Sequence, residues 1–428
     1  MLTAALKTKL KALLPNETVP FAIAYSGGAD STALLHALKD HPQLKAVYIL
    51  DHSLRAGSDI DGQAAYDFAR SLGLKAELLT WENDGVTSAI QARARLARYN
   101  LIGQACREDS IKHLLTAHHQ GDQAETVFMR FEHKTGWRGA AGISESTYAP
   151  LWPEMAGVTI LRPLLDVPRA RLRAYNKMHN LSWVEDPSNC NPYFERVRAR
   201  EYLRQNPQMA LDLLEAQVDL RQGLIDERLK LGEFARKHVR IDAHGIITLC
   251  EICPPELMYH LLRVASGEGR LIDRSKITRL LQLMRTARFT SATLGGALIR
   301  RNPSERGFIF CRDLVAVTGR KDNNIAPKPL HMNFRDKPQL WDGRYLIQGP
   351  SDLSINSAHA ARDIMTDADL KRLREHPAAV RQTLPVVIKD GKIFAIGGKP
   401  EHDTEPYMLR SLIHPRLEAT LGTKLPIY

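Results

Sequence analysis

The sequence predicts an α/β protein: a doubly wound parallel sheet, then a helical connector and two smaller α+β domains. Three observations carry this. From Phe21 onward, short apolar runs alternate with stretches of helical period, as in successive βαβ units. The first such run ends in Tyr25-Ser26-Gly27-Gly28-Ala29-Asp30-Ser31-Thr32, a glycine-containing turn that leads into an apolar helix. After about Asn206 the alternation gives way to one long charged helical pattern and then to hairpin signals. The expected division is 1–205 for the sheet domain, 206–240 for the connector, and 241–322 and 330–428 for the two α+β domains.

Met1 to Leu14 alternates Lys with Leu like an amphipathic helix. It lacks the arginine and serine enrichment of a transit peptide, so a leading helix is the favoured reading. Phe21-Ala22-Ile23-Ala24 suits a strand buried on both faces, and Ala33 to Leu38 is apolar on one helical face. Ala46 to Leu50 is a second strand, ending at Asp51-His52-Ser53-Leu54-Arg55, and Ile60, Ala64, Phe68 and Leu72 mark the next helix. A third strand covers Ala76 to Trp81, a long helix Ser88 to Arg107, and a fourth strand His113 to Ala117. Helices follow from about Gly121 to Phe131 and from Pro168, a residue suited to a first turn. Ala210 to Val239 is the connector pattern. Ile246 to Leu249 opens the next module, with a helix around Leu257–Val264 and a hairpin of Ser291–Arg300 with Gly307–Cys311 around Asn302-Pro303. Asn323 to Pro329 reads as a linker, and Asp390-Gly391 turns a hairpin between Leu384–Ile388 and Lys392–Ile396.

Doubly wound sheets bind ligands outside the carboxyl ends of their strands. The chemically suggestive residues fall there or on the helices that follow. The turn Ser26–Ser31 aims backbone N–H groups and a positive helix end at one point, which makes an anion site. Gly27 and Gly28 allow close approach and a positive φ, and Ser26 and Ser31 add hydroxyls. Asp30 beside a phosphate makes sense with a cation between them, most simply Mg²⁺. An ordinary capped turn uses the same residue types. The lysine of the Gly-x-x-x-x-Gly-Lys-Ser/Thr loop is missing.

Asp122 and Glu125 lie three apart, so a helix puts both carboxylates on one face, for Mg²⁺ or an ammonium group, or merely as solvated first-turn acids. Arg95 and Arg98 share a helix face in the same way; they are either solvated or fixed to steady negative charge. His118 and His119 lack the spacing of a zinc site and read as hydrogen-bonding residues at a strand end. Cys250 and Cys253 form a lone pair with no second pair to complete a zinc site.

At 428 residues the chain has material for two or three domains, with 25% charged and 44% hydrophobic residues. A net charge of +11 predicts a polyanionic partner, nucleic acid ahead of a membrane surface, although solubility alone is another cause. Between Arg162 and Arg204 nine Arg or Lys face five Asp or Glu, with Trp183, Tyr193 and Phe194 interleaved. That mixture, including Arg162, Arg196, Arg198 and Arg200, suits RNA backbone and exposed bases as well as a plain basic helix face. Five cysteines argue for reduced thiols and a cytoplasmic setting. No apolar run approaches the roughly 18 residues of a membrane span.

The Ser-Gly-Gly-x-Asp-Ser string between strand and helix resembles the PP-loop of the ATP pyrophosphatases, adenine nucleotide α-hydrolase-like enzymes that split ATP between its first and second phosphates. The ordered set Ser26–Ser31, Asp51–Arg55, Ala94–Tyr99, Thr116–Thr126, Arg162–Leu165 and Glu185–Asn189 resembles tRNA(Ile)-lysidine synthetase over roughly the first half of the chain. That resemblance implies conversion of the wobble cytidine of an isoleucine tRNA with a CAU anticodon to lysidine, using ATP, Mg²⁺ and free L-lysine. It implies an ATP site of Ser26, Gly27, Gly28, Ala29, Asp30, Ser31, Asp51 and His52, with Mg²⁺ on Asp30 and Asp122. Catalytic roles go to Asp30, Arg95, Arg98, Asp122 and Glu125, lysine binding to Asp122 and Glu125, and tRNA contacts to Arg162, Arg196, Arg198 and Arg200. The C-terminal domains would grip the tRNA acceptor end, and a homodimer is left open. Two departures stand out: Gly121 replaces the first of two usual aspartates, and His133-Lys134-Thr135-Gly136 replaces an Arg-Gly-Ser-Gly loop. A sulfur-inserting tRNA enzyme and a non-catalytic RNA-binding relative are the rival readings.

Overall fold

The computed structural model describes residues 2–51, 57–81, 90–185, 191–242, 244–302, 307–318, 331–397, 399–400 and 407–425. It divides into two compact units, Met1–Asp226 and Glu227–Tyr428. The first unit runs α1 (Leu2–Leu13), β1 (Phe21–Tyr25), α2 (Ala29–Leu38), β2 (Leu44–Asp51), α3 (Ser58–Ser71), β3 (Ala76–Thr80) and α4 (Ile90–Glu108). There follow β4 (His113–Leu115), α5 (Gln120–Glu132), α6 (Trp137–Ala140), β5 (Ser146–Tyr148), β6 (Thr159–Leu161), α7 (Arg169–Met178) and α8 (Glu195–Gln205).

The strands form one sheet in the order β3-β2-β1-β4-β6-β5. Every pairing is parallel except that of the edge strand β5 with β6. Order reverses at β1, so the crevice beyond the carboxyl ends of β1 and β4 is the expected ligand position. Residues of β1 alternate between two cores, as a strand period of two requires. Phe21, Ile23 and Tyr25 join Leu34 and Leu35 of α2, Ala65 and Ala69 of α3 and Leu172 of α7. Ala22 joins Tyr48 of β2 with Ile102 and Cys106 of α4 on the other face. The apolar run in the sequence is therefore a central strand covered on both sides.

The helix after β2 forms where expected, with Phe68 and Leu72 partly buried against the core. Ile60 is 70% exposed, and the buried residues of α3 are the small Gly62, Ala65 and Ala69. A Cβ on Gly62 would lie 3.3 Å from Leu78 and 3.5 Å from the Asp51 Cβ, so small size sets how closely α3 approaches the sheet.

The long charged pattern forms the helix Pro207–His238. In the second unit a five-stranded sheet runs Val239–Ile241, Ile247–Leu249, Phe308–Arg312, Ala297–Arg301, Ser291–Leu294. The stretch expected as one strand, Ser291–Arg300, is itself a hairpin, because Gly295 and Gly296 both take positive φ (61° and 80°). Leu257 and Leu261 of helix Pro255–Ser266 and Ile277 and Leu281 of helix Arg274–Met284 fill the core beside this sheet. Leu417 and Leu421 of the helix Ile413–Leu421 complete that same core. Further on, Pro385–Lys389 and Lys392–Ile396 pair as expected, with Asp390 (φ 48°) and Gly391 (φ 73°) both left-handed at the turn. Cys253 is buried and its thiol pushed up to about 12 by that burial, which makes it an inert packing residue. Among the described residues no helix is long and apolar enough to cross a membrane. The expected linker Asn323–Pro329 lies outside the described residues.

Candidate nucleotide site

At the carboxyl end of β1 the chain turns sharply into α2. Gly27 takes φ +76°, and a Cβ there would stand 3.3 Å from the Ala65 Cβ and 3.4 Å from Val184 Cγ2. Glycine is thus required at 27 both for its conformation and for the close approach of α3. Gly28 is different: its φ is −74°, and it is the N-cap of α2 with no side-chain hydrogen bond to the first turn. The first N–H groups of α2 therefore end uncapped at the loop, with the positive end of the helix behind them. Ser31 Oγ donates to Gly28 O (2.9 Å) and accepts from Ser26 N (3.3 Å), and the Ser26 hydroxyl lies 3.1 Å from it. Two outside contacts pin the loop. Val184 N donates to Gly27 O (2.9 Å), and Asn176 Nδ2 of α7, fully buried, donates to Ala29 O (2.8 Å).

Asp30 stands in the first turn of α2. Its Oδ2 is 3.5 Å from His119 Nε2 and 3.6 Å from Arg169 Nε, while its Oδ1 is buried with no hydrogen-bond partner. His119 is the N-cap of α5: its Nδ1 accepts from Gly121 N (2.9 Å) and Asp122 N (3.4 Å), and the Asp122 carboxylate accepts from His119 N (2.8 Å). With Nδ1 accepting, the ring proton sits on Nε2, facing both Asp30 and Asp122, whose Oδ2 is 3.7 Å away. A Cβ on Gly121 would lie 2.8 Å from His119 Cε1. Glycine at 121 leaves this rotamer of the ring its room, where any larger residue would require the ring to shift.

Asp122 is nearly enclosed. Burial pulls its carboxyl up, but His119, the Arg196 guanidinium and the His119 N–H outweigh this and hold it below the usual carboxylate range. Both of its oxygens are engaged, because Arg196 Nη2 donates to Oδ1 (2.9 Å). His118 hydrogen-bonds Thr116 through Nδ1 (2.9 Å). Burial, helped by Arg162, Arg196 and Arg95 and opposed by Asp122, pushes His118 down to about 4, so it is neutral at physiological pH.

One turn on, Glu125 is 3% exposed. Its carboxylate accepts from Arg196 Nε (2.7 Å), Arg200 Nε (2.6 Å) and Arg200 Nη2 (3.3 Å). The acids expected to meet an ammonium and two of the arginines expected to meet RNA thus hold one another, across the packed pair α5 and α8. Arg198 points elsewhere and donates to Pro192 O (2.9 Å) and Tyr193 O (2.8 Å). Arg162 is buried at the end of β6, donating to Ser144 O (2.7 Å) and Thr147 Oγ1 (2.9 Å). Arg95 and Arg98 are exposed on α4, with the Arg95 guanidinium stacked 4.9 Å over Tyr99. Asp51 is buried where β2 ends, its carbonyl accepting from Trp81 N (3.1 Å). His52 lies outside the described residues.

Sequence reasoning passed over Arg169, Asn176 and Val184, which the fold brings to the loop from about 140 to 160 positions away. Arg169 did carry a signal: a cation in the first turn of a helix works against the helix dipole, so something else has to justify it.

With this geometry in place, likeness to known proteins bears on the rest. A family model described as a PP-loop domain matches residues 2–206. The chain is 30% identical to tRNA(Ile)-lysidine synthase of Caulobacter vibrioides over 423 residues, which is 95% of this chain and 94% of that protein. It is 27% identical to the enzyme of that name from Wolbachia pipientis wMel over 394 residues, 87% of each chain. Against the protein of the same name from Hyphomonas neptunium it is 34% identical over 293 residues, 65% of this chain and 78% of that one. Alignments of this length run past the phosphate loop and through both units, and so this chain belongs to the tRNA(Ile)-lysidine synthase family.

Proposed function

We propose that the protein joins free L-lysine to C2 of the wobble cytidine of isoleucine tRNA with a CAU anticodon, using ATP. The observation that carries this reading is an uncapped phosphate loop whose first acid, Asp30, keeps a free buried oxygen, in a chain alike to tRNA(Ile)-lysidine synthases along almost its full length. A cytosine oxygen is a poor leaving group, so an amine does not displace it directly. In the proposed first step the C2 oxygen attacks the α-phosphorus, the bond to the bridging oxygen breaks, and pyrophosphate leaves with the electron pair. In the second, the neutral ε-amine attacks C2 and AMP leaves with the C2 oxygen.

Ser26, Gly27, Gly28, Ala29 and Ser31 hold the phosphates through their N–H and hydroxyl groups, with Asp51 and His52 beside the nucleotide. A buried carboxylate oxygen without a partner fits a hard cation, so Asp30 is the residue to hold Mg²⁺. Asp122 fits less well, since both its oxygens are engaged. When bound, the metal would neutralise phosphate charge. At neutral pH, deprotonating a lysine ammonium costs about 4–5 kcal/mol. Asp122 and Glu125 would receive that ammonium in the places that Arg196 and Arg200 occupy, and one of the two carboxylates would take its proton, the arginines turning to the RNA phosphates. Arg95 and Arg98 would add positive charge beside the site, and Arg162 and Arg198 would shape the surface that meets RNA. Segments 241–322 and 330–428 would grip the tRNA away from the anticodon. A reaction that draws on tRNA, ATP and free lysine belongs in the cytoplasm.

The test is incubation with unmodified isoleucine tRNA, ATP and labelled lysine. Label in the RNA, with AMP and pyrophosphate released in equal amounts, is the expected result. Tight tRNA binding with no label would favour a non-catalytic relative, and ATP turnover that ignores lysine would favour a different transfer.

A further inference from the structure

We propose that Arg169 is a contact for the polyphosphate of the bound nucleotide. The proposal rests on reading Ser26–Ser31 as a nucleotide loop, and not on the identity of the second substrate.

Arg169 opens α7, the helix whose Asn176 side chain is hydrogen-bonded to Ala29 O (2.8 Å) at the start of α2. The chain just after α7 returns to the loop at Val184, whose N–H donates to Gly27 O (2.9 Å). These two contacts, both C-terminal to Arg169, hold α7 against the loop. Its Nε is buried and has no hydrogen-bond partner. The nearest acid oxygen, Asp30 Oδ2, is 3.6 Å away, beyond a hydrogen bond, and lies 3.5 Å from His119 Nε2 as well. An orphaned guanidinium nitrogen is costly, and so is a cation in the first turn of a helix. A phosphate oxygen at the uncapped end of α2 would satisfy both, since guanidinium matches phosphate geometry. About a third of the side chain is exposed (36%), which leaves it one open side from which to receive that oxygen. Arg95 and Arg98, the arginines the sequence offered for this work, lie on α4, with the Arg95 guanidinium stacked over Tyr99.

The experiment measures binding by calorimetry, with Mg²⁺ present, of ATP, inorganic pyrophosphate and adenosine to the full-length protein and to Arg169→Ala and Arg169→Lys. Expected is a loss of about tenfold or more in affinity for ATP and pyrophosphate in the alanine variant. The lysine variant should fall between, and adenosine binding should not change. Added guanidinium should restore part of the pyrophosphate affinity of Arg169→Ala, which a residue with a merely structural role would not allow. If the alanine variant folds poorly by its thermal midpoint, the lysine variant decides. Wild-type affinity for pyrophosphate in a folded variant overturns the proposal alone. Failure of the unsubstituted protein to bind ATP or pyrophosphate overturns the nucleotide-loop reading and this proposal together.

Discussion

The two halves of the candidate site treat charge in opposite ways. Around Ser26–Ser31 the polar groups are left open: the first turn of α2 has no side-chain cap, and one Asp30 oxygen and the Arg169 Nε have no partner. Around Asp122 and Glu125 the groups are saturated, with two guanidiniums and a helix cap using the carboxylate oxygens. An open, pinned loop is organised in advance for its ligand. A saturated acid pair must first give up the partners it has, so its ligand has to compete with arginine. On the proposed roles, nucleotide would enter a finished site and the amine one that must be remade.

Substitutions at the open half should act on chemistry. Asp30→Asn should lower tRNA-dependent ATP–pyrophosphate exchange by about a thousandfold, the scale of losing a fixed charge at a reacting phosphate, and leave tRNA affinity within about twofold. Exchange at the wild-type rate would remove Asp30 from the reaction. Substitutions at the saturated half should act on stability as well. Glu125→Gln strands two arginines that share one buried carboxylate, and should destabilise the first unit by about 3 kcal/mol in urea unfolding. The lower end of the range for buried pairs applies, because Arg196 and Arg200 are 40% and 32% exposed.

Between these stands the link residue. Gly121→Ala puts a methyl against the His119 ring and should forfeit the cap of α5, about 1 kcal/mol by thermal or urea unfolding, with a larger loss of exchange activity as Asp30 and Asp122 lose their common neighbour. The smallest effect is a slope. His118 has its folded pKa lowered to about 4 from 6.5, so the unfolded chain binds the extra proton between those values. Its contribution to stability is complete above about pH 6.5 and lost as pH falls towards 4. His118→Gln should flatten the urea midpoint against pH across that window, and an unchanged slope would assign the dependence to other groups.

What could be read beforehand was local. The alternation of strands and helices, the loop after β1, and the shared face of Asp122 and Glu125 follow from spacings of two to five residues. The opposite held for anything built by long-range packing. Ile60 marks the helix by period, yet it is exposed, and the close approach of α3 to the sheet selects small residues at 62, 65 and 69. Gly295-Gly296 divides a run of good strand formers that read as continuous. The pairing of Glu125 with Arg196 and Arg200 spans 71 and 75 positions, and no local pattern announces it. Gly121 read as a lost aspartate, because the ring that needs its space belongs to a neighbour's rotamer, which a one-letter string does not display.

The helix Ile413–Leu421 has a consequence for how the chain is made. Its Leu417 and Leu421 sit in the interior otherwise built by residues 231–310 and Leu425, so that interior has a gap until this helix has been translated. The first unit can close while the ribosome is still working, since domains fold as units from the amino end. The second must wait, with an unfinished apolar face in need of shelter, and a transcript cut short before residue 413 would join a completed first unit to an open apolar face.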